Sequence, residues 1–388
     1  MRSTARFALV VLVAGLMLSC ATPTQVSPTA ASTSSPRTTT MPHATEVVHV
    51  ENTQEPVPFP LLEPGPYYAG KRKYAFEDAS RDNRPVGITV WYPAVQPEGS
   101  SGTRLQVGAD RDPDRSGAPY PLILSSTKVA SIFAPYLISH GFVWASIDRI
   151  DTYEVWNPQL IDQPLDILFA LDQLASNPPE ELAGMIDAQH AGATGYSFDG
   201  TNALFLGGTR IDPEFYLAQC STADATAEAI LSTFPSRYQC PAGGEWLESA
   251  AQAHEAITDS EDGLWQPLTD ARIRAVMPLA GEGWLLFGDR GLAAVDRPTL
   301  LIVATQDELY AENALIYELL GTPDKALISF VGPGHMMVYD PEMVARMAHF
   351  AVAFFGYHLQ GREELAQYFS EDFVGQHDDL AWGVYEGE

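Results

Sequence analysis

From Tyr74 onward the chain keeps one rhythm: a short β-branched, apolar run, then a longer stretch of helical periodicity. "GITVWYPA" (87–94) reads as a strand that stops near Pro93. "YPLILSS" (120–126) is apolar without alternation, the pattern of a strand covered on both faces. "APYLISHG" fits a helix ending at Gly141, and "FVWASID" (142–148) is the next strand. In 164–175, Leu165, Leu168, Phe169, Leu171 and Leu174 share one side of a helix, with Pro164 suited to its first turn. Later runs are "IRAVMPLAG" (273–281), "PTLLIVATQDE" (298–308) and "ALISFVGPGH" (326–335), followed by a helix over 341–359. Strands separated by helices pair in parallel, because each crossover returns the chain to the same end of the sheet. The predicted class is α/β: a mostly parallel sheet with helices on both faces.

The N-terminus stands apart from this pattern. Arg2 and Arg6 precede an apolar run, Phe7 to Leu18, too short for an ordinary membrane span and shaped like a secretory signal. Its ending, Met17-Leu18-Ser19-Cys20, resembles a bacterial lipobox, so Cys20 is predicted to be lipidated; a plain secretory signal is the alternative. The expected organisation is a signal peptide over 1–19, a Ser/Thr/Pro-rich tether over 20–58, and a folded domain over 59–388. The predicted location is extracytoplasmic, held to the membrane by the lipid on Cys20. A formal net charge of -28, from 50 acids against 22 bases, repels polyphosphate and excludes nucleic acid as a partner.

One segment breaks the rhythm. Residues 208–268 show no clear strand and hold Cys220 and Cys240, the two cysteines after Cys20. An insertion this long between sheet elements suggests a lid. Outside the cytoplasm the cysteine pair is expected to be a disulfide stapling it.

Candidate chemistry begins at "ATGYSFDGTNALF" (193–205), a strand running through a tight turn into a helix. Gly195-Tyr196-Ser197-Phe198-Asp199-Gly200 is nearly the G-x-S-x-G turn that exposes a nucleophilic serine, with the second glycine displaced by one. A serine hydroxyl needs a base, and the base needs an orienting group. Asp307 follows "PTLLIVATQ" and His335 follows "ALISFVGPG", so all three groups fall at carboxyl ends of predicted strands, where open α/β sheets bind ligands. Glu282, after the preceding strand, is the alternative acid. Trp284 offers either an aromatic wall for substrate or simple packing. No phosphate loop, H-E-x-x-H or calcium loop occurs, so no cofactor or metal is expected.

These stretches, with "RPVGITVWYPA" (84–94), "SHGFVWASIDR" (139–149), "GMIDAQHAGATGYSFDG" (184–200) and "VGPGHMM" (331–337), resemble the α/β-hydrolases. The nearest branch holds platelet-activating-factor acetylhydrolases and predicted dienelactone hydrolases. "AFFGYHLQGREELAQYFSEDFV" (353–374) is similar to the tail of polyester hydrolases. The resemblance spans about 70–380, less the insertion. It implies hydrolysis of a small-molecule or lipid ester through an acyl-enzyme: Ser197 attacks, His335 moves the proton and Asp307 orients His335. In the acetylhydrolase branch the acid can follow the preceding strand, where Glu282 stands. The family's oxyanion donors are the N–H after the serine, here Phe198, and one in a glycine-rich loop after "YPLILSS". Here that loop reads Ser125-Ser126-Thr127-Lys128-Val129, with Lys128 the candidate donor position. Lys128 is expected either to pair with Asp199 or to point into solvent while Asp199 caps its helix.

Overall fold

The apolar runs become the middle of a ten-stranded sheet: β1 (Tyr68–Asp78), β2 (Arg84–Ala94), β3 (Gly108–Ala109), β4 (Tyr120–Ser126), β5 (Val143–Ile147), β6 (Ile186–Tyr196), β7 (Ile273–Leu279), β8 (Thr299–Ala304), β9 (Lys325–Phe330) and β10 (Leu380–Trp382). This is a computed structural model, and it describes residues 58–99, 102–148, 155–232, 239–258 and 260–387, without the side chains of Thr127 and Lys128. Cys20, the expected signal and nearly all of the expected tether lie outside the described residues. The described residues belong to one unit, Glu55–Glu388.

Strand order is β10-β9-β8-β7-β6-β4-β5-β2-β1-β3. The run from β5 through β4, β6, β7 and β8 to β9 is parallel. Antiparallel β2 and β1 extend one side, and β10 closes the other. Every residue of β4, β5 and β8 is buried, as their unbroken apolar character requires. Alternation then divides the side chains between two layers. Ile123 and Trp144 join a core with Phe133 of α1 (Thr127–Ser139) and with residues of the long C-terminal helix, among them Phe350 and Phe355. Leu122, Leu124, Val143 and Ala145 join a second core with Ile167, Leu171 and Leu174 of α2 (Gln159–Ser176). Each fully buried phenylalanine of this kind stabilises the fold by about 1.5–3 kcal/mol.

Helix α2 begins five residues before Pro164, so the proline lies inside it rather than in its first turn. Asn157 explains the earlier start: its side chain accepts the Gln159 N–H at 2.9 Å and nucleates the turn.

β4 pairs with β5 on one side and with β6 on the other. The crossovers after β4 and β5 therefore leave in opposite directions across the sheet. Such a reversal opens a crevice at the carboxyl ends of the strands. Helix α3 (Phe198–Leu206) starts there, directly after β6.

Between α3 and β7 the described part of 208–268 is helical: α4 (Pro213–Ser221), α5 (Ala225–Ser232), α6 (Trp246–Ala253) and α7 (Glu255–Thr258). Cys220 and Cys240 form a disulfide, with Cα atoms 5.3 Å apart. Trp246 Nε1–H donates to the Tyr216 hydroxyl at 2.7 Å, and Tyr216 donates to the Gln239 carbonyl at 2.6 Å. The tryptophan bond ties α4 to α6, and the disulfide and the Gln239 bond tie α4 to the segment just before α6. The remaining helices are α8 (Trp284–Leu292), α9 (Tyr310–Leu319), α10 (Pro341–Gln360) and α11 (Glu371–Val374). No described helix is long and apolar enough to cross a membrane.

Candidate active site

Ser197 sits between the end of β6 and the start of α3, with φ 61° and ψ -125°. Positive φ is costly for a residue with a Cβ, so the surroundings must hold it. They do so through the backbone. Ser197 N–H donates to the Leu279 carbonyl at 2.9 Å, and the Ser197 carbonyl accepts from Gly200 N–H at 2.7 Å. The turn also needs two glycines. A Cβ on Gly195 would lie 2.0 Å from the Asp199 carbonyl oxygen, and one on Gly200 would lie 2.7 Å from the Gly281 Cα. The displaced glycine of the sequence pattern is thus required where it stands, because Gly200 packs backbone against backbone on the turn after β7.

His335 opens a 3-10 turn, His335–Tyr339, after Gly332-Pro333-Gly334. Its Nε2 lies 3.1 Å from Ser197 Oγ. Its Nδ1 lies 2.9 Å and 3.0 Å from the two carboxylate oxygens of Asp307. The Asp307 side chain is fully buried and that of His335 is 19% exposed. A buried carboxylate at Nδ1 fixes the proton on that nitrogen and leaves the Nε2 lone pair facing the serine hydroxyl. Asp307 Oδ1 also accepts the Leu309 N–H at 2.8 Å, which holds the carboxylate in place.

Tyr196 is a part of this arrangement that sequence reasoning passed over. Its hydroxyl donates to the His335 carbonyl, and its ring lies 5.3 Å from the imidazole. Burial, with the nearby Asp307 and Glu308 charges, pushes its hydroxyl pKa up, so it remains a donor. The signal was its place immediately before the serine.

The other expected residues fall as follows. Asp307, not Glu282, is the carboxylate on Nδ1 of His335. Glu282 is buried and accepts from Gln239 Nε2 at 3.1 Å, while its carbonyl accepts from Thr201 Oγ1 at 2.7 Å. Trp284 is a packing residue: 4% exposed, edge-on to Phe215 of α4 at 5.2 Å, with its indole N–H donating to Asp289. Phe198 is the first residue of α3. The loop expected after β4 is absent, because β4 ends at Ser126 and α1 begins at Thr127. Lys128 is therefore the second residue of a helix, and its side chain lies outside the described residues. Without the glycines that would let the chain swing away, the strand turns straight into helix. Two helices consequently begin at the ends of adjacent strands, and helix N-termini present N–H groups and partial positive charge. Asp199, in the first turn of α3, is fully buried.

Beside His335 an open concavity of about 560 Å³ is lined by Glu308, Pro333, His335, Met336, Met337 and Met343. Met336 is 65% exposed and Tyr339 72%. Asp307, Glu308 and His335 also bring ligand atoms within 4.8 Å of one another, a donor set able to take a cation. Two of the three already bond each other. Neither a family model nor a curated protein matches this chain.

Proposed function

We propose that the chain is a serine hydrolase of carboxylic esters with an α/β-hydrolase fold. The observation that carries this reading is the hydrogen-bonded series Ser197 Oγ to His335 Nε2 to Asp307, with Ser197 at positive φ between strand and helix. In the reaction, Ser197 Oγ bonds to the ester carbonyl carbon as His335 Nε2 takes its proton. His335 then gives that proton to the departing alkoxide, and the alcohol leaves an acyl-serine. Water repeats the sequence: His335 takes its proton, hydroxide attacks the acyl carbon, and the proton returns to Ser197. Asp307 stabilises the imidazolium formed at each step. The backbone N–H of Phe198 and one from the first turn of α1, at Lys128, bind the oxyanion, and the two helix N-termini favour its charge.

The exposed Met336 and Tyr339 beside His335 suit an ester with an apolar group. The disulfide-linked helices of 208–268 act as the lid. The signal-like N-terminus and Cys20 anchor the domain outside the cytoplasm by a lipid. A fluorophosphonate probe tests the reading, because it labels an activated serine whatever the natural ester. Labelling that Ser197→Ala abolishes supports it, and an unlabelled wild-type protein sinks it. The buried Asp199, two residues from Ser197, favours a second reading. An ionised carboxylate there would oppose an oxyanion, which suits a lipoprotein that uses the same lidded cleft only to bind.

A further inference from the structure

The serine and the acid stand on turns after different strands, β6 and β8, with β7 between them. The turn after β7, residues 280–283, touches both neighbours. Toward the serine, Gly281 packs on Gly200, with a Cβ on Gly281 falling 3.0 Å from the Gly200 carbonyl carbon. Thr201 Oγ1 donates to the Glu282 carbonyl on the same side. Toward the acid, the contact runs through one side chain. Asn313 Nδ2 donates to the Gly281 carbonyl at 2.7 Å and to the Leu309 carbonyl at 2.9 Å. Leu309 is the residue whose N–H holds Asp307 Oδ1. Next to Asn313, Glu312 Oε1 accepts the N–H groups of Gly283 and Trp284 at 2.7 Å and 3.0 Å. Both side chains are buried, Asn313 at 1% exposure and Glu312 at 2%.

We infer that Asn313 is a positioning residue: its amide fork fastens the turn behind Ser197 to the turn that carries Asp307, and so sets the spacing of nucleophile and acid. The inference rests on the hydrolase reading for its kinetic consequence, though not for its geometry. The two N–H groups of one amide are divided between two carbonyls from separate loops, which a hydrophobic or acceptor side chain cannot reproduce. When the amide is removed, the buried Gly281 carbonyl loses its donor with no water to replace it, while the Leu309 carbonyl keeps the Asn313 backbone N–H at 2.9 Å. Glu312 holds the far end of the same turn, so the 280–283 segment is pinned at both ends by adjacent residues of α9.

The decisive variant is Asn313→Asp, which keeps the shape and turns the donor into an acceptor facing two carbonyls. Asn313→Ser is the milder companion: its hydroxyl can bond the Leu309 carbonyl one helical turn back but is too short for Gly281. Circular dichroism and a melting curve establish that each variant is folded. With p-nitrophenyl acetate, kcat is expected to fall about 10- to 100-fold while KM stays within about twofold, the pattern of a displaced reacting group. The proton that His335 Nδ1 donates to Asp307, read as a far-downfield NMR resonance, is expected to shift or broaden in the same variants. A folded variant with kcat and that resonance both unchanged overturns the inference. If the wild-type protein neither labels with fluorophosphonate nor turns over the ester, the hydrolase reading fails. The proton resonance alone then decides whether Asn313 sets the Asp307–His335 geometry.

Discussion

His349 gives the pH dependence of this domain a definite sign. It lies on α10 with no solvent exposure, its Nδ1 accepting the Leu61 N–H at 3.3 Å. Its ring stacks on Phe373 at 5.2 Å and meets the edges of Phe59 and Tyr368. Burial pushes its pKa down from 6.5 to about 3, and the neighbouring imidazole of His377 acts in the same direction. Above about pH 6.5 the folded and unfolded chains both hold a neutral ring, and the group contributes no pH dependence. Below that point the unfolded chain takes a proton that the folded chain refuses, so stability falls as pH falls, until about pH 3. Each pH unit inside the window costs about 1.4 kcal/mol, so moving from about pH 8 to about pH 5 removes about 2 kcal/mol through this one residue. The control is His349→Gln, whose amide oxygen can still accept from Leu61 but does not titrate. His140, His358 and His377, also held below the ordinary histidine range by burial, are retained in both proteins. Urea unfolding at the two pH values, with matching slopes to establish two-state behaviour, measures the loss in each. The wild-type loss should exceed that of the variant by about 2 kcal/mol. Equal losses in the two proteins would refute the argument.

Other expectations follow from the site. Ser197→Ala should abolish ester turnover and His335→Ala should fall nearly as far, since the groups act as a unit; equal activity in either variant removes the assignment. Asp307→Asn should cost about 10⁴-fold in kcat by taking away the acceptor that fixes the imidazole tautomer, and Glu282→Gln far less; the reverse ranking moves the acid. Gly200→Ala should unfold or inactivate the protein, since its Cβ meets the Gly281 backbone at 2.7 Å, and a melting curve indistinguishable from wild type would show that the turn can yield. Reduction of Cys220–Cys240, which spans 20 residues, should destabilise the insertion by about 3 kcal/mol, read by hydrogen exchange over 208–268. For Lys128 and Asp199 a double-mutant cycle on kcat decides: coupling of about 0.5 kcal/mol or more indicates a pair, strict additivity none.

The parts of this molecule that could be read in advance share a physical cause. β4, β5 and β8 are buried along their whole length, so their residues had to be continuously apolar and the sequence pattern was unmistakable. Ser197, Asp307 and His335 were legible because they follow β6, β8 and β9, whose carboxyl-terminal stretches are buried and apolar. β1 was not named as a strand: "YAGKRKYAFED" lies next to the last strand of the sheet, with charged residues on its exposed side. β10, three residues long, is defined by its partner β9 rather than by its own composition. The start of α1 was misjudged because "STKVAS" looks like a loop when its packing against the sheet is unknown. Asn313 and Glu312 gave no signal at all. Their partners are backbone groups roughly 4 to 32 positions away in the chain, and a backbone carbonyl leaves no mark on sequence.

The uninterrupted passage of β4 into α1 bears on how this protein tolerates insertions and deletions. In an ordinary strand-loop-helix unit, a residue gained or lost is absorbed by the loop and the helix keeps its orientation. Here one residue added between Ser126 and Thr127 would turn the whole of α1 by about 100° about its axis. Val129, Ala130, Phe133, Ala134, Leu137 and Ile138, all at 1% exposure or less, would leave the core together. Length changes at this junction should therefore be nearly lethal to folding, whereas the stretch between α3 and β7 already carries about sixty residues of extra chain without disturbing the pairing of β6 with β7. Insertions are better directed to that stretch than to the β4–α1 junction.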